Sequence, residues 1–135
     1  MKISPPDPAL LSLNTATVRE KWNLREMIEG CARRGIRGIS PWRDKLAEMG
    51  VKEAAKRIRD SGLTVTGLCR GGMFPAADRK GRQAALDDNL RAVDEAAALG
   101  ARCLVLVVGG LPAGSNISPS QWMITGSLTW ARTRS

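Results

Sequence analysis

Histidine and tyrosine are absent from this 135-residue chain, phenylalanine occurs once, and no acidic residue follows Glu95. Each absence closes a route. Without histidine there is no Ser-His or Cys-His nucleophile pair, and a transition-metal site loses its commonest nitrogen ligand. Residues 96–135 can supply no carboxylate, either as a ligand or as an acid/base group. So few aromatics leave little for stacking on nucleic-acid bases. No apolar run approaches the roughly 20 residues of a membrane span. The Met1 end carries Lys2, Pro5, Pro6 and Pro8 rather than a signal-peptide core, and the expected location is cytoplasmic. The three cysteines, Cys31, Cys69 and Cys103, show no CxxC spacing and read as small buried apolar residues. Neither a dinucleotide fingerprint, nor a phosphate-binding P-loop, nor a nucleophile elbow is present.

What is present begins with charge. The formal net charge is +8, which raises the question of nucleic acid. The basic residues, however, are scattered through helical patterns beside acids, as in Lys52, Lys56, Arg57 and Arg59, so solvated helix faces account for most of them. A nucleic-acid partner is not expected.

Three times a helical pattern meets a glycine and passes into a β-type run, at Gly35, Gly62 and Gly100. Glycine just past a helix end supplies the left-handed cap, and helix alternating with strand is the rhythm of a parallel α/β protein. Strands are predicted at Leu10–Thr15, Ile36–Ser40, Leu63–Leu68 and Cys103–Val108, the last apolar throughout and so expected to be buried on both faces. Asn23 with Glu26 has capping-box spacing, and Leu24, Met27, Ile28 and Cys31 follow on one helical face. Val51, Ala54, Ala55 and Ile58 repeat that spacing. Leu86, Leu90, Val93 and Ala97 share one face of a third helix. Residues 41–50 read as a long connection with at most a short helical turn, and 70–82 as a loop. The expected fold is therefore α/β, with about four parallel strands and three helices of a partial (β/α) barrel, followed by an irregular C-terminal tail. A closed eight-unit barrel needs about 250 residues.

Ligands of parallel α/β folds sit beyond the carboxyl ends of the strands. There the sequence places Asn14, then Ser40, Trp42, Arg43 and Asp44, then Arg70 to Phe74, then Gly109 and Gly110. The set suits an anionic or polyhydroxylated small molecule. Arg70 can clamp a phosphate or carboxylate or serve as a surface ion pair; Trp42 can stack on a sugar or anchor its own loop. Asp44 stands nearly alone, and one carboxylate rarely holds a catalytic divalent ion. Asp87 and Asp88 are adjacent on a helix and point apart, which suits solvation or capping.

The stretches GISPWRDKLAEMGVKEAAKRIRDSGLTVTGLCRGGMFPAADR and NLRAVDEAAALGARCLVLVVGGLPAGS resemble the sugar phosphate isomerase/epimerase family, the xylose-isomerase-like TIM barrels that include hydroxypyruvate isomerases and tagatose-type epimerases. The resemblance spans residues from about 10 to 115. It implies the N-terminal half of a TIM barrel over residues 1–115, with 116–135 outside the family pattern. That tail would be a shifted reading frame, a disordered segment or a genuine short arm. It also implies an activity: proton movement between neighbouring carbons of a small sugar or sugar phosphate, with a divalent Mn, Mg or Zn ion and paired glutamates. Family ligands and glutamates lie mostly on later strands, so no catalytic or metal residue carries over, and the chain alone is expected to be inactive. Asn14, Trp42 and Arg70 remain as substrate-contact candidates. The alternatives are a small α/β module binding an anionic ligand without catalysis and, third, a non-specific nucleic-acid binder. Self-association through exposed strand edges is a further expectation.

Overall fold

The computed structural model describes residues 7–112. Its elements run β1 (Ser12–Asn14), α1 (Leu24–Arg33), β2 (Gly38–Ser40), α2 (Arg43–Met49), α3 (Val51–Asp60), β3 (Thr64–Val65), β4 (Leu68–Gly72), α4 (Arg79–Leu99) and β5 (Leu104–Val107), with single 3-10 turns at Pro8–Leu10 and Thr15–Thr17. All strand pairs are parallel: β1 with β2, β2 with β3, and β4 with β5. A bridge between Trp42 and Cys69 joins the two small sheets. The result is the strand–helix alternation of a partial TIM barrel.

Local chemistry explains the elements. Asn23 Oδ1 accepts from the Glu26 amide and the Glu26 carboxylate accepts from the Asn23 amide, so the capping box forms at both of its bonds. The apolar face of α1 (Leu24, Met27, Ile28, Cys31) is fully buried, as are Ala54, Ala55 and Ile58 of α3. Gly35, Gly62 and Gly100 all take positive φ at their helix ends. In register across the sheet, Leu13, Ile39 and Val65 stand side by side; all three join the core beneath the helices. The period of two then puts Ser12, Asn14, Ser40 and Thr64 on the opposite face. That face is lined by hydroxyls, and Ser12 Oγ lies 2.7 Å from Thr66 Oγ1.

Several expectations need correction. Residues 43–49 form a full helix rather than a connection, anchored by buried Leu46. The third strand is broken: β3 stops at Val65 and β4 resumes at Leu68, with a bulge between Cys69 and Gly71. At the break a Cβ on Gly67 would meet the Cys103 sulfur tightly, at 3.0 Å. Arg70 to Gly72 are consequently strand residues, not the start of a loop. The stripe Leu86, Leu90 and Val93 of α4 is exposed, while Ala92, Ala96 and Leu99 are the buried ones. Strand β5 is not buried on both faces: Val105, Leu106 and Val107 are each more than 40% exposed, and among the described strands β5 pairs only with β4. Cys103 is exposed, unlike Cys31 and Cys69. The proposed tail lies outside the described residues. Among those residues no helix is long and apolar enough to cross a membrane.

Candidate functional site

Two of the three candidate residues meet at the strand ends. Trp42, the residue that leads into α2, donates its indole Nε1–H to Asn14 Oδ1 at 2.8 Å. Its backbone amide donates to Thr15 Oγ1 at 2.9 Å, and Thr15 is wholly buried. Asn14 Oδ1 also accepts from the Ala16 amide, which holds the 3-10 turn after β1. The carboxamide oxygen is thus spent inside the protein, and the amide end of Asn14 is what it has left to offer. Over the Trp42 ring lies the Arg19 guanidinium, 6.0 Å from the centroid, at the limit of a cation–π contact. Trp42 is therefore an anchor of its loop as well as a rim residue.

Arg70 sits one residue past the Trp42–Cys69 bridge, at the middle of β4 rather than at its end. It is half-buried, and among the described residues it has no ion-pair partner. Just beyond it, Gly72 (φ 101°) is pressed against β5, where any side chain would overlap the Val107 backbone. Its amide and carbonyl are held by the Asn89 carboxamide of α4. The Met73 amide donates to Val107 O and the Phe74 amide to Val108 O. The Arg70-Gly71-Gly72 segment is therefore a fixed piece of backbone, not a flexible phosphate-binding loop.

Arg43 departs from its expected place on the rim. It turns to α4 and forms a bidentate pair with Asp88 (2.8 and 3.1 Å) and another with Glu95 (2.6 and 3.2 Å). Those bonds, from Glu95 first and then Asp88, push its pKa above the ordinary guanidinium value. The Arg43 bonds in turn hold the Asp88 carboxyl below the usual carboxylate range. Asp88 is accordingly a structural partner rather than a solvated or capping residue, while Asp87 accepts from Gln83 one turn away. Sequence reasoning passed over this clamp. Its one legible sign was the seven-residue spacing of Asp88 and Glu95, which puts both on one side of α4.

The remaining concavities lie elsewhere. A shallow cleft of about 290 Å³ opens between α1, α2 and α3, and another of about 230 Å³ between α1 and α3. Their charged groups already pair with one another, Lys45 with Glu48 and Arg57 with Glu53. Other surface cations pair along their own helices in the same way, including Arg25 with Glu29 and Lys56 with Asp60. Among the described residues no group of three or more potential ligands is placed to hold a metal ion.

Comparison with known proteins adds to this geometry. The xylose isomerase-like TIM barrel family pattern matches residues 28–132, a span that runs past Ser115. Protein SMc04130 from Sinorhizobium meliloti 1021, known from its crystal structure, is 52% identical, with a TM-score of 0.81 over 86% of this chain. The chain covers 43% of that protein's length. A xylose isomerase-like TIM barrel/4-hydroxyphenylpyruvate dioxygenase fusion protein shares the fold at 22% identity and a TM-score of 0.60, over 70% of this chain and 15% of its own. No curated protein matches the chain.

Proposed function

The chain belongs to the xylose isomerase-like TIM barrel family, and from that premise we propose that its strand ends bind a small sugar or sugar phosphate, as part of an isomerase or epimerase site. The support for this reading is the Asn14–Trp42 pair at the carboxyl ends of β1 and β2, with Arg70 on the neighbouring strand β4. Asn14, through its carboxamide oxygen, and the indole of Trp42 are locked together, and Arg70, with no counter-ion among the described residues, lies within β4 one residue past the Cys69 that Trp42 bridges. Asn14 donates to a sugar hydroxyl, Trp42 presents an apolar face to a sugar ring, and Arg70 neutralises a phosphate or carboxylate. The hydroxyl-lined face of β1 to β3 suits the same polyhydroxylated class of ligand.

Among the described residues no group of three or more ligands is placed to hold the divalent ion of the family. The acids nearest in kind, Asp88 and Glu95, are consumed by Arg43, and residues 96–135 contain no acid at all. In this reading these strand ends bind and orient a ligand, and the carboxylates for proton transfer between sugar carbons are not among the residues placed beside it. A binding module for an anionic ligand is the second reading; it rests on Arg70 alone.

Calorimetric titration with D-xylulose 5-phosphate and with D-xylulose tests the proposal. Binding of both, with the phosphate ester held more tightly, is expected. Arg70→Met should weaken the ester about tenfold or more, as loss of a charge-assisted contact does, and leave D-xylulose unchanged. Binding of the ester and of inorganic phosphate alike, with none of D-xylulose, would favour the second reading. No binding of any of the three contradicts both. Turnover of the ester that is activated by manganese and abolished by a chelator would overturn the division between binding and proton transfer.

A further inference from the structure

Among the described residues, one residue other than glycine takes a left-handed backbone, and it stands at the ligand end of the fold. Met73 follows the last residue of β4 with φ 56°. Glycine enters that region freely, whereas a side chain there costs free energy. Such a residue persists only where its surroundings fix it. Here they fix it from both sides. The Met73 amide donates to Val107 O at 2.6 Å, and the Phe74 amide to Val108 O at 3.0 Å. The Asn89 carboxamide holds both backbone groups of the preceding Gly72. All of these bonds are made by backbone groups of residues 72–74, and a glycine at position 73 would make the same ones without the strain.

The side chain turns along the strand ends. A Cβ added to Gly109, just past β5, would stand 3.4 Å from Met73 Sδ, so the thioether reaches from the end of β4 toward the end of β5. Met73 belongs neither to the buried core nor to the apolar side chains packed against it. Ligands of parallel α/β barrels sit at this end of the strands, and strained residues cluster at ligand sites. We propose that the Met73 side chain is held at the carboxyl ends of β4 and β5 as a specificity-determining contact, an apolar wall against the carbon skeleton of the sugar. The proposal rests on the reading of these strand ends as a sugar site, and it divides the work between two residues. Arg70 meets the charge that only the phosphate ester carries. Met73 is uncharged, flexible and polarizable, and meets the carbon chain that the ester and the free sugar share.

Urea unfolding and calorimetric titration of Met73→Gly, Met73→Ala and Met73→Leu, each in the full 135-residue chain, test it. The glycine variant should unfold at a urea midpoint no lower than that of the wild type and above that of the alanine variant, since only glycine removes the strain. Both should bind D-xylulose and D-xylulose 5-phosphate about three- to tenfold more weakly, by a similar factor for the two ligands. That is the loss expected of one partly buried apolar side chain. Met73→Leu should stay within about twofold of the wild type, as a swap that conserves volume. A glycine variant less stable than the wild type overturns the proposal, because the side chain then serves packing. Unchanged affinity in the glycine and alanine variants overturns it as well. So does a loss confined to the ester, which would make Met73 a support for Arg70. In each of these cases the wild-type chain still binds both ligands, and the reading of the strand ends stands. A wild-type chain that binds neither ligand removes both.

Discussion

The side chain of Asn89 holds both backbone groups of Gly72: the glycine amide donates to Asn89 Oδ1 at 2.5 Å, and Asn89 Nδ2 donates to the glycine carbonyl at 2.7 Å. A third bond, to Ala85 O, fixes the carboxamide on its own helix. One side chain of α4 therefore imitates a strand neighbour for the last residue of β4 and sets where Arg70 and Gly71 lie. Asn89→Ala leaves two backbone groups without partners, which costs about 2 kcal/mol or more. Denaturant unfolding should show that loss. Amide exchange should quicken at Gly72, and far less in α1. Asn89→Asp should cost no less, because a carboxylate cannot donate to the Gly72 carbonyl.

The Arg43 clamp predicts an acid sensitivity with a definite sign. Asp88 has its pKa depressed in the folded chain by the Arg43 bonds. Its contribution to stability is present above the unfolded carboxylate value, about 3.9, and is lost as pH falls through the lower folded value. Stability should fall in that acid window, and Asp88→Asn should flatten that part of the profile. Arg43→Met leaves two carboxylates on α4 without their cation. The cost should be about 2 kcal/mol, below the 3–5 kcal/mol of a fully buried pair, since Asp88 stays 44% exposed. Urea midpoints measured between pH 3 and 7 would read both effects.

Thr15 is a buried hydroxyl whose Oγ1 accepts from the Trp42 amide. Thr15→Val conserves shape and removes the acceptor, with an expected cost of about 1–3 kcal/mol. Thr15→Ser should restore most of it. Trp42→Phe keeps an aromatic ring of smaller area and loses the Asn14 bond; the bond's share of the stability cost should be about 1 kcal/mol, while sugar binding weakens.

Thiol labelling separates the cysteines. Burial raises the Cys31 pKa and the residue is 1% exposed, so its thiolate is both scarce and shielded. With an aromatic disulfide reagent Cys103 should react first and Cys31 only on unfolding. Rapid native labelling of Cys31 would contradict the packing of α1.

Much of the frame was legible because it is local. The capping box at Asn23 and Glu26, the buried faces of α1 and α3, and the cap glycines depend on spacings within one or two turns. The misses involve distance. Helix α2 has one buried anchor, Leu46, and a single apolar residue makes no period. In α4 the more hydrophobic stripe stays exposed while Ala92, Ala96 and Leu99 face the sheet, a choice of face that the helical period alone does not make. The clamp joins Arg43 to residues 45 and 52 positions away, beyond any sequence pattern. Asn14 and Trp42 were found as strand-end residues, but their hydrogen bond depends on the register of β1 with β2.

The most direct test of ligand binding at the strand ends is amide and indole NMR of the full chain titrated with D-xylulose 5-phosphate. The account predicts shifts at the Trp42 indole N–H, the Asn14 side-chain amide and the Arg70 to Met73 backbone, with α1 and α3 unmoved. Shifts confined to the cleft lined by Arg25, Lys45, Glu53 and Arg57, or no shifts at saturating ester, would contradict it.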